Sequence, residues 1–173
     1  MEVTEPTWVF GYGSLIWKQD FPFLESRAGF IEGWSRRFWQ GSHDHRGTET
    51  SPGRVLTLIE TPGQRCCGRA FLVEPDVFDH LDHREKNGYE RVAVDIHFEN
   101  SRSPGVVYRA TPDNHAFLGD APLDEIAEHI VGSEGPSGLN SEYLIELASA
   151  LRAMGEADGH VFSLESRVLA LLK

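Results

Sequence analysis

The chain has 173 residues, 40% hydrophobic and 25% charged, ordinary globular values that exclude intrinsic disorder and a fibrous repeat. A formal net charge of −11 gives no global support to nucleic-acid binding by counterion release, nor to binding an anionic membrane surface. The length is that of a single domain, residues 1–173, able to bury roughly 70% of the surface its unfolded form exposes.

Residues 1–6 are acidic and lack the basic start and apolar core of a signal peptide. No apolar run approaches a membrane span, so the cytoplasm is the expected compartment. Strands separated by Gly and Pro are predicted at 8–12, 29–40, 54–60, 68–73, 90–98 and 106–110. In the fifth, Val92, Val94, Ile96 and Phe98 alternate with Ala93, Asp95 and His97, the period of a sheet with one buried face. A short helix over 76–84 puts Val77, Phe78 and Leu81 on one side, with Glu85 at its exit and Asn87-Gly88 as a C-cap pattern. The last third reads as helices. One starts near Pro122 and stops before Gly132, with Leu123, Ile126, Ala127 and Ile130 on one side. After the turn Gly135-Pro136-Ser137-Gly138, Asn140 is placed to cap a second, whose Leu144, Leu147, Ala148 and Leu151 share a face and whose first turn holds Tyr143. A third, over 161–172, carries Leu164, Val168 and Leu171 or Leu172 and is expected to pack on the sheet. Many strands with few crossover helices give an α+β fold, a small antiparallel or mixed β-barrel flanked by helices. Cys66 and Cys67 are adjacent, closer than a disulfide prefers, and side chains alternate along a strand. Both are expected reduced, one of them buried.

Three stretches could carry chemistry. The first is Gly11-Tyr12-Gly13-Ser14, set in a hydrophobic run. It lacks the third glycine of a dinucleotide fingerprint, is not a phosphate loop, and does not centre Ser14 in a nucleophile elbow. What remains is a backbone cradle for a small anion such as a carboxylate, to which the Tyr12 and Ser14 hydroxyls can add, or else a tight turn between buried strands. The second is the block 35–47 with Arg36, Arg37 and Arg46, followed by Arg54: a local cationic site for carboxylates, or a solvated strand face. Its His43, Asp44 and His45, together with His80, Asp82 and His83, show no metal-ligand signature and read as surface residues. The third is Glu85. Alone it reads as an ion-paired surface carboxylate. At a helix C-terminus the dipole disfavours its anion, as a general base needs, while Arg84 and Lys86 oppose that shift.

Taken together, Phe10 to Trp17, Ser35 to Gln40 with Gly41-Ser42 and Asp44-His45-Arg46-Gly47, Arg84-Glu85-Lys86 with Gly88-Tyr89, and Gly135-Pro136-Ser137-Gly138 with Asn140 and Glu142-Tyr143-Leu144 closely resemble the ChaC-like, glutathione-specific gamma-glutamylcyclotransferases. The resemblance implies their barrel fold and the cleavage of glutathione to 5-oxoproline and Cys-Gly, with no cofactor and no metal. It places Tyr12, Gly13, Ser14 and Leu15 on the gamma-glutamyl moiety, Glu85 as the catalytic carboxylate, and Arg54 and Tyr143 in the substrate pocket. The expected partner is thus a small molecule, with no nucleic acid and no membrane. The arginine block favours glutathione over other gamma-glutamyl compounds, because an anionic tripeptide needs positive charge at its far end. His43 and Asn87 depart from the family pattern, and Cys66-Cys67 lies outside it. Two rival readings are a gamma-glutamyl-binding module without turnover and a metal-dependent hydrolase built on the His/Asp cluster.

Overall fold

Val9 and Phe10 are buried because their strand, β1 (Thr7–Gly11), is paired on both edges. It runs antiparallel to β3 (Gly53–Val73), with Val9 opposite Phe71, and parallel to β5 (Arg102–Ala110), with Val9 opposite Val106. With β2 (Glu25–Ser42) and β4 (Tyr89–His97) these strands close into a barrel of order β1-β3-β2-β4-β5 in this computed structural model, which describes residues 4–85 and 88–173. Among the described residues the other elements are the helices α1 (Val77–Arg84), α2 (Leu123–Val131), α3 (Asn140–Ala153) and α4 (Gly159–Leu171), a 3-10 turn at Ser14–Ile16, and the hairpin β6 (Glu134–Gly135) and β7 (Gly138–Leu139). None of these helices is long and apolar enough to cross a membrane.

The two strands predicted at 54–60 and 68–73 are one strand, β3. Pro62-Gly63 usually signals a turn, but Gly63 takes φ 87° with open space around it. A glycine in that conformation bends a strand without ending it, and proline is tolerated at such a site. β4 alternates as expected, with Ile96 buried and Glu90, Ala93 and Asp95 exposed.

The contacts group the chain into two compact units, Met1–Ser35 with Leu58–Thr111, and Arg36–Thr57 with Pro112–Lys173, so β2 and β3 contribute residues to both. The core of the first gathers Val9, Phe71, Val73 and Val106 from the barrel with Val77, Phe78 and Leu81 from the apolar side of α1. α1 ends at Arg84, with Glu85 at its C-cap, whereas Asn87 of the expected cap lies outside the described residues.

In the second unit α4 packs against α2 and α3, and its His160 meets Phe38 of β2. Leu164 and Val168 are buried there, while Leu171 and Leu172 stay about half exposed. Arg152 of α3 and the buried Glu165 of α4 form an ion pair across that packing. Asp158 caps α4 by accepting from the Val161 N–H at 3.1 Å, and its other oxygen lies 2.9 Å from Nε of the buried Arg36. Asn140 opens α3 but does not cap it. Its amide instead makes a reciprocal pair with the Arg54 main chain, accepting from N–H and donating to C=O at 2.8 Å each, and so fastens α3 to β3.

Candidate active site

The glycine loop is shaped by where β1 stops. A Cβ on Gly11 would come within 2.8 Å of the Leu15 Cβ, so only glycine lets the following turn fold back onto the strand end. The turn closes with Ile16 N–H donating to Gly13 O at 2.9 Å and Lys18 N–H to Ser14 O at 2.8 Å. Leu15 points into the barrel core and is buried, so its approach to a ligand is limited to its main chain. Tyr12 is buried too, and its hydroxyl donates to Tyr108 O at 2.6 Å, fixing the loop to β5. That proton is committed to the fold. Ser14 differs, because its Oγ accepts from Arg84 Nη2 at 3.3 Å and its own O–H remains to donate to an anion.

Glu85 sits where α1 ends, its N–H donating to Leu81 O at 2.9 Å and its carboxylate mostly shielded. One Glu85 oxygen lies 3.9 Å from Arg84 Nε. The Arg84 side chain therefore contacts both Ser14 and Glu85, two of the residues singled out from sequence. Its Nη1 also binds Asp20 at 2.6 Å and lies 3.4 Å from Lys18 O, and His80 Nε2 approaches the same Asp20 oxygen at 3.3 Å. Burial pushes the Asp20 carboxyl up, but Arg84 and His80 outweigh it and hold the group below its ordinary value. On the neighbouring strand, the Tyr108 hydroxyl donates to Asp82 at 2.6 Å, and Arg91 binds the other Asp82 oxygen at 3.1 Å. Burial first, then the bond to Asp82, push the Tyr108 phenol far above its usual value, so it remains a proton donor at any working pH.

The other two predicted residues lie in the second unit. Tyr143 is buried in the first turn of α3, its ring edge-on to Phe38 at 5.8 Å and under the Arg46 guanidinium at 5.8 Å, and its hydroxyl accepts from Leu56 N–H at 3.4 Å. Arg54 donates through Nη1 to Phe38 O at 2.9 Å and Gly119 O at 2.8 Å, and through Nε to His129 Nδ1 at 3.3 Å. His129 must then carry its proton on Nε2, which faces Pro52 O at 2.7 Å. Burial draws the Arg54 guanidinium below its usual value, with Asp120 and Glu125 opposing. The arginine block is thus largely engaged by the protein itself: Arg36 by Asp158, Arg37 by Arg36 O at 2.7 Å, Arg46 by Leu139 O at 2.9 Å, and Arg54 by carbonyls. Among the described residues no three His, Cys, Asp or Glu side chains converge as metal ligands. Asp20 and Tyr108 were not singled out from sequence, and Asp82 was weighed only with the histidines as a metal-ligand candidate and read as a surface residue. Nothing in the spacing from Ser14 to Asp20 signals that both meet one side chain on α1.

A family model described as ChaC-like protein matches residues 7–171. Gamma-glutamylcyclotransferase 2-3 of Arabidopsis thaliana is 46% identical over 178 residues, spanning 95% of this chain and 89% of that protein. Glutathione-specific gamma-glutamylcyclotransferase 1 of Danio rerio is 43% identical over 177 residues, spanning 96% and 90%. Among solved structures, a yeast gamma-glutamyl cyclotransferase specific to glutathione superposes with a TM-score of 0.89 at 32% identity, covering 96% of this chain and 97% of that one. The similarity takes in the glycine loop, the end of α1 and the residues around Tyr143 alike, and the chain belongs to the ChaC-like protein family.

Proposed function

We propose that this protein cleaves glutathione by cyclising its gamma-glutamyl group, releasing 5-oxoproline and Cys-Gly, with Glu85 as the proton carrier. The observation that carries the reading is the joining of Ser14 and Glu85 through the Arg84 guanidinium, in a chain 43% identical across 96% of its length to a glutathione-specific relative.

The nucleophile is the substrate's own α-amine. Its nitrogen attacks the γ-carbonyl carbon, a C–N bond forms to close the five-membered ring, and the C–N bond to the cysteinyl nitrogen breaks. Water takes no part: the α-ammonium gives up one proton to become the nucleophile and a second as the lactam N–H forms, while the scissile nitrogen takes one to leave as the Cys-Gly amine and another to become its ammonium. Glu85 relays these protons in succession, as general base toward the attacking nitrogen and as general acid toward the leaving one. The loop N–H groups and the Ser14 hydroxyl hold the α-carboxylate so that the amine faces the γ-carbon. Such positioning supplies about 7–11 kcal/mol in good intramolecular cases, more than the factor of about 10²–10⁴ typical of proton transfer. Arg54 and Tyr143 act within the second unit, Arg54 donating to the Phe38 and Gly119 carbonyls and to His129, and the Tyr143 hydroxyl accepting from Leu56 N–H. Cys66 and Cys67, which share no disulfide, fit the reducing cytoplasm, where this substrate is kept as the thiol.

The test is turnover of reduced glutathione by chelator-treated protein beside Glu85→Gln, with products measured by mass spectrometry. Equal amounts of 5-oxoproline and Cys-Gly are expected from the wild type, with the variant slower by at least about 10²-fold at an unchanged melting temperature. Turnover of gamma-glutamyl dipeptides but not glutathione would move the substrate to a sibling class. Binding without any product would make the protein a gamma-glutamyl-binding module.

A further inference from the structure

We infer that Arg84 and Asp20 are a positioning pair that sets the register between the anion-holding loop and the Glu85 carboxylate; this rests on the reading of the reaction above. The loop and α1 belong to different stretches of the chain, and the reaction needs both at once: the loop to fix the α-carboxylate, the helix end to present the base. Arg84 spans them. From one planar guanidinium, Nη2 reaches Ser14 Oγ at 3.3 Å, Nη1 reaches Asp20 at 2.6 Å and Lys18 O at 3.4 Å, and Nε faces Glu85 at 3.9 Å. These contacts diverge from a rigid fork, so moving any one moves the rest.

Asp20 is the anchor of the arrangement. It takes the shortest of the Arg84 contacts and receives His80, one turn earlier on α1, at 3.3 Å. Two side chains of α1 therefore grip the far end of the loop. Asp20 also competes with Glu85 for the same guanidinium and holds the closer place, 2.6 Å against 3.9 Å. The positive charge is thereby turned toward the loop, while the base keeps the longer contact. Loss of this register costs far more in rate than in binding, because a misplacement of about 1 Å between reacting groups costs on the order of 10²-fold.

The experiment compares Arg84→Lys, Arg84→Met, Asp20→Asn and the double variant Asp20→Asn/Arg84→Met for kcat and KM on reduced glutathione. Thermal melts confirm that each is folded. Arg84→Met is expected to lower kcat by about 10-fold to 10²-fold with KM changed by less than about threefold. Arg84→Lys should not restore the rate, since a point charge cannot serve Ser14 and Asp20 together. Asp20→Asn, at a side chain about half exposed, should lower kcat in a stable protein, and the double variant should be no slower than Arg84→Met. Full rescue by Arg84→Lys would show that charge alone matters and would overturn the inference, as would losses that multiply in the double variant. Variants with the wild-type kcat beside an active wild type would overturn the inference alone. A wild type that forms no 5-oxoproline would bring down the reaction and the inference together.

Discussion

Arginine does several kinds of work in this chain, and its partners say which. Arg84 divides its fork between the glycine loop and the end of α1, whereas Arg54, 7% exposed, gives its described nitrogens to Phe38 O, Gly119 O and His129. Replacing Arg54 by Met would strand the buried Phe38 carbonyl and the half-buried Gly119 carbonyl, at a cost of about 3 kcal/mol, or roughly 10 °C in melting temperature for a chain of this size. The surviving enzyme should keep its KM for glutathione within about threefold. An unchanged melt with a strongly raised KM would instead put Arg54 on the substrate. The sequence shows the density of arginines in 36–54 but not their partners, because carbonyls that accept from a guanidinium leave no mark in composition. The charge argument for an anionic tripeptide loses most of its force once Arg36, Arg46 and Arg54 are seen to bind the protein itself. The place of Glu85 was legible for a different reason: the apolar pattern Val77, Phe78, Leu81 fixes where α1 runs, and so what stands at its exit, while the catalytic role comes from the family resemblance alone.

At the scale of elements, apolar periodicity located the helices to within a residue or two and found α1, the one that positions the carboxylate. It failed where an element's partner lies far off in sequence. Pro62-Gly63 looks like a turn until the length of β3 is seen to run through it, and α4, which meets Phe38 of β2 through His160, is also received by α2 and α3. Asn140 is the sharpest instance. A polar residue at a helix start is normally a cap, yet this fully buried amide is spent on both main-chain groups of Arg54, 86 positions away. Asn140→Ala therefore leaves a buried N–H and a buried C=O without those partners, for a loss of about 2–4 kcal/mol, against about 1 kcal/mol for an ordinary lost cap. The urea midpoint measures this. A drop of cap size only would mean that water replaces the amide, and α3 would then be held chiefly by its apolar face of Leu144, Leu147 and Leu151 and by Tyr143.

For the molecule as a whole, the packing of α4 makes stability depend on pH through one imidazole. His160, at the start of α4, accepts from Phe38 N–H at 3.0 Å and stacks on the Phe38 ring, beside the Arg36–Asp158 pair. Only the neutral ring can accept there. Burial, then the nearby Arg37 charge, pull its pKa down from 6.5 to about 4, with Asp158 and Asp120 opposing. The unfolded chain takes up a proton at this position near pH 6.5, while the folded chain does not until about pH 4. Stability from His160 is thus complete above pH 6.5 and drains away as the pH falls toward 4. The loss is on the order of 2 kcal/mol after discounting for the part of the ring that meets solvent. Urea midpoints taken from about pH 7.5 to about pH 4.5 should fall in the wild type more steeply than in His160→Gln, whose amide oxygen can accept from Phe38 without titrating. Parallel slopes would assign the acid sensitivity to the 27 carboxylates that give the chain its negative charge. A shallower slope in the variant assigns it to the joint between β2 and α4, which the strand can keep only while the ring at its end stays uncharged.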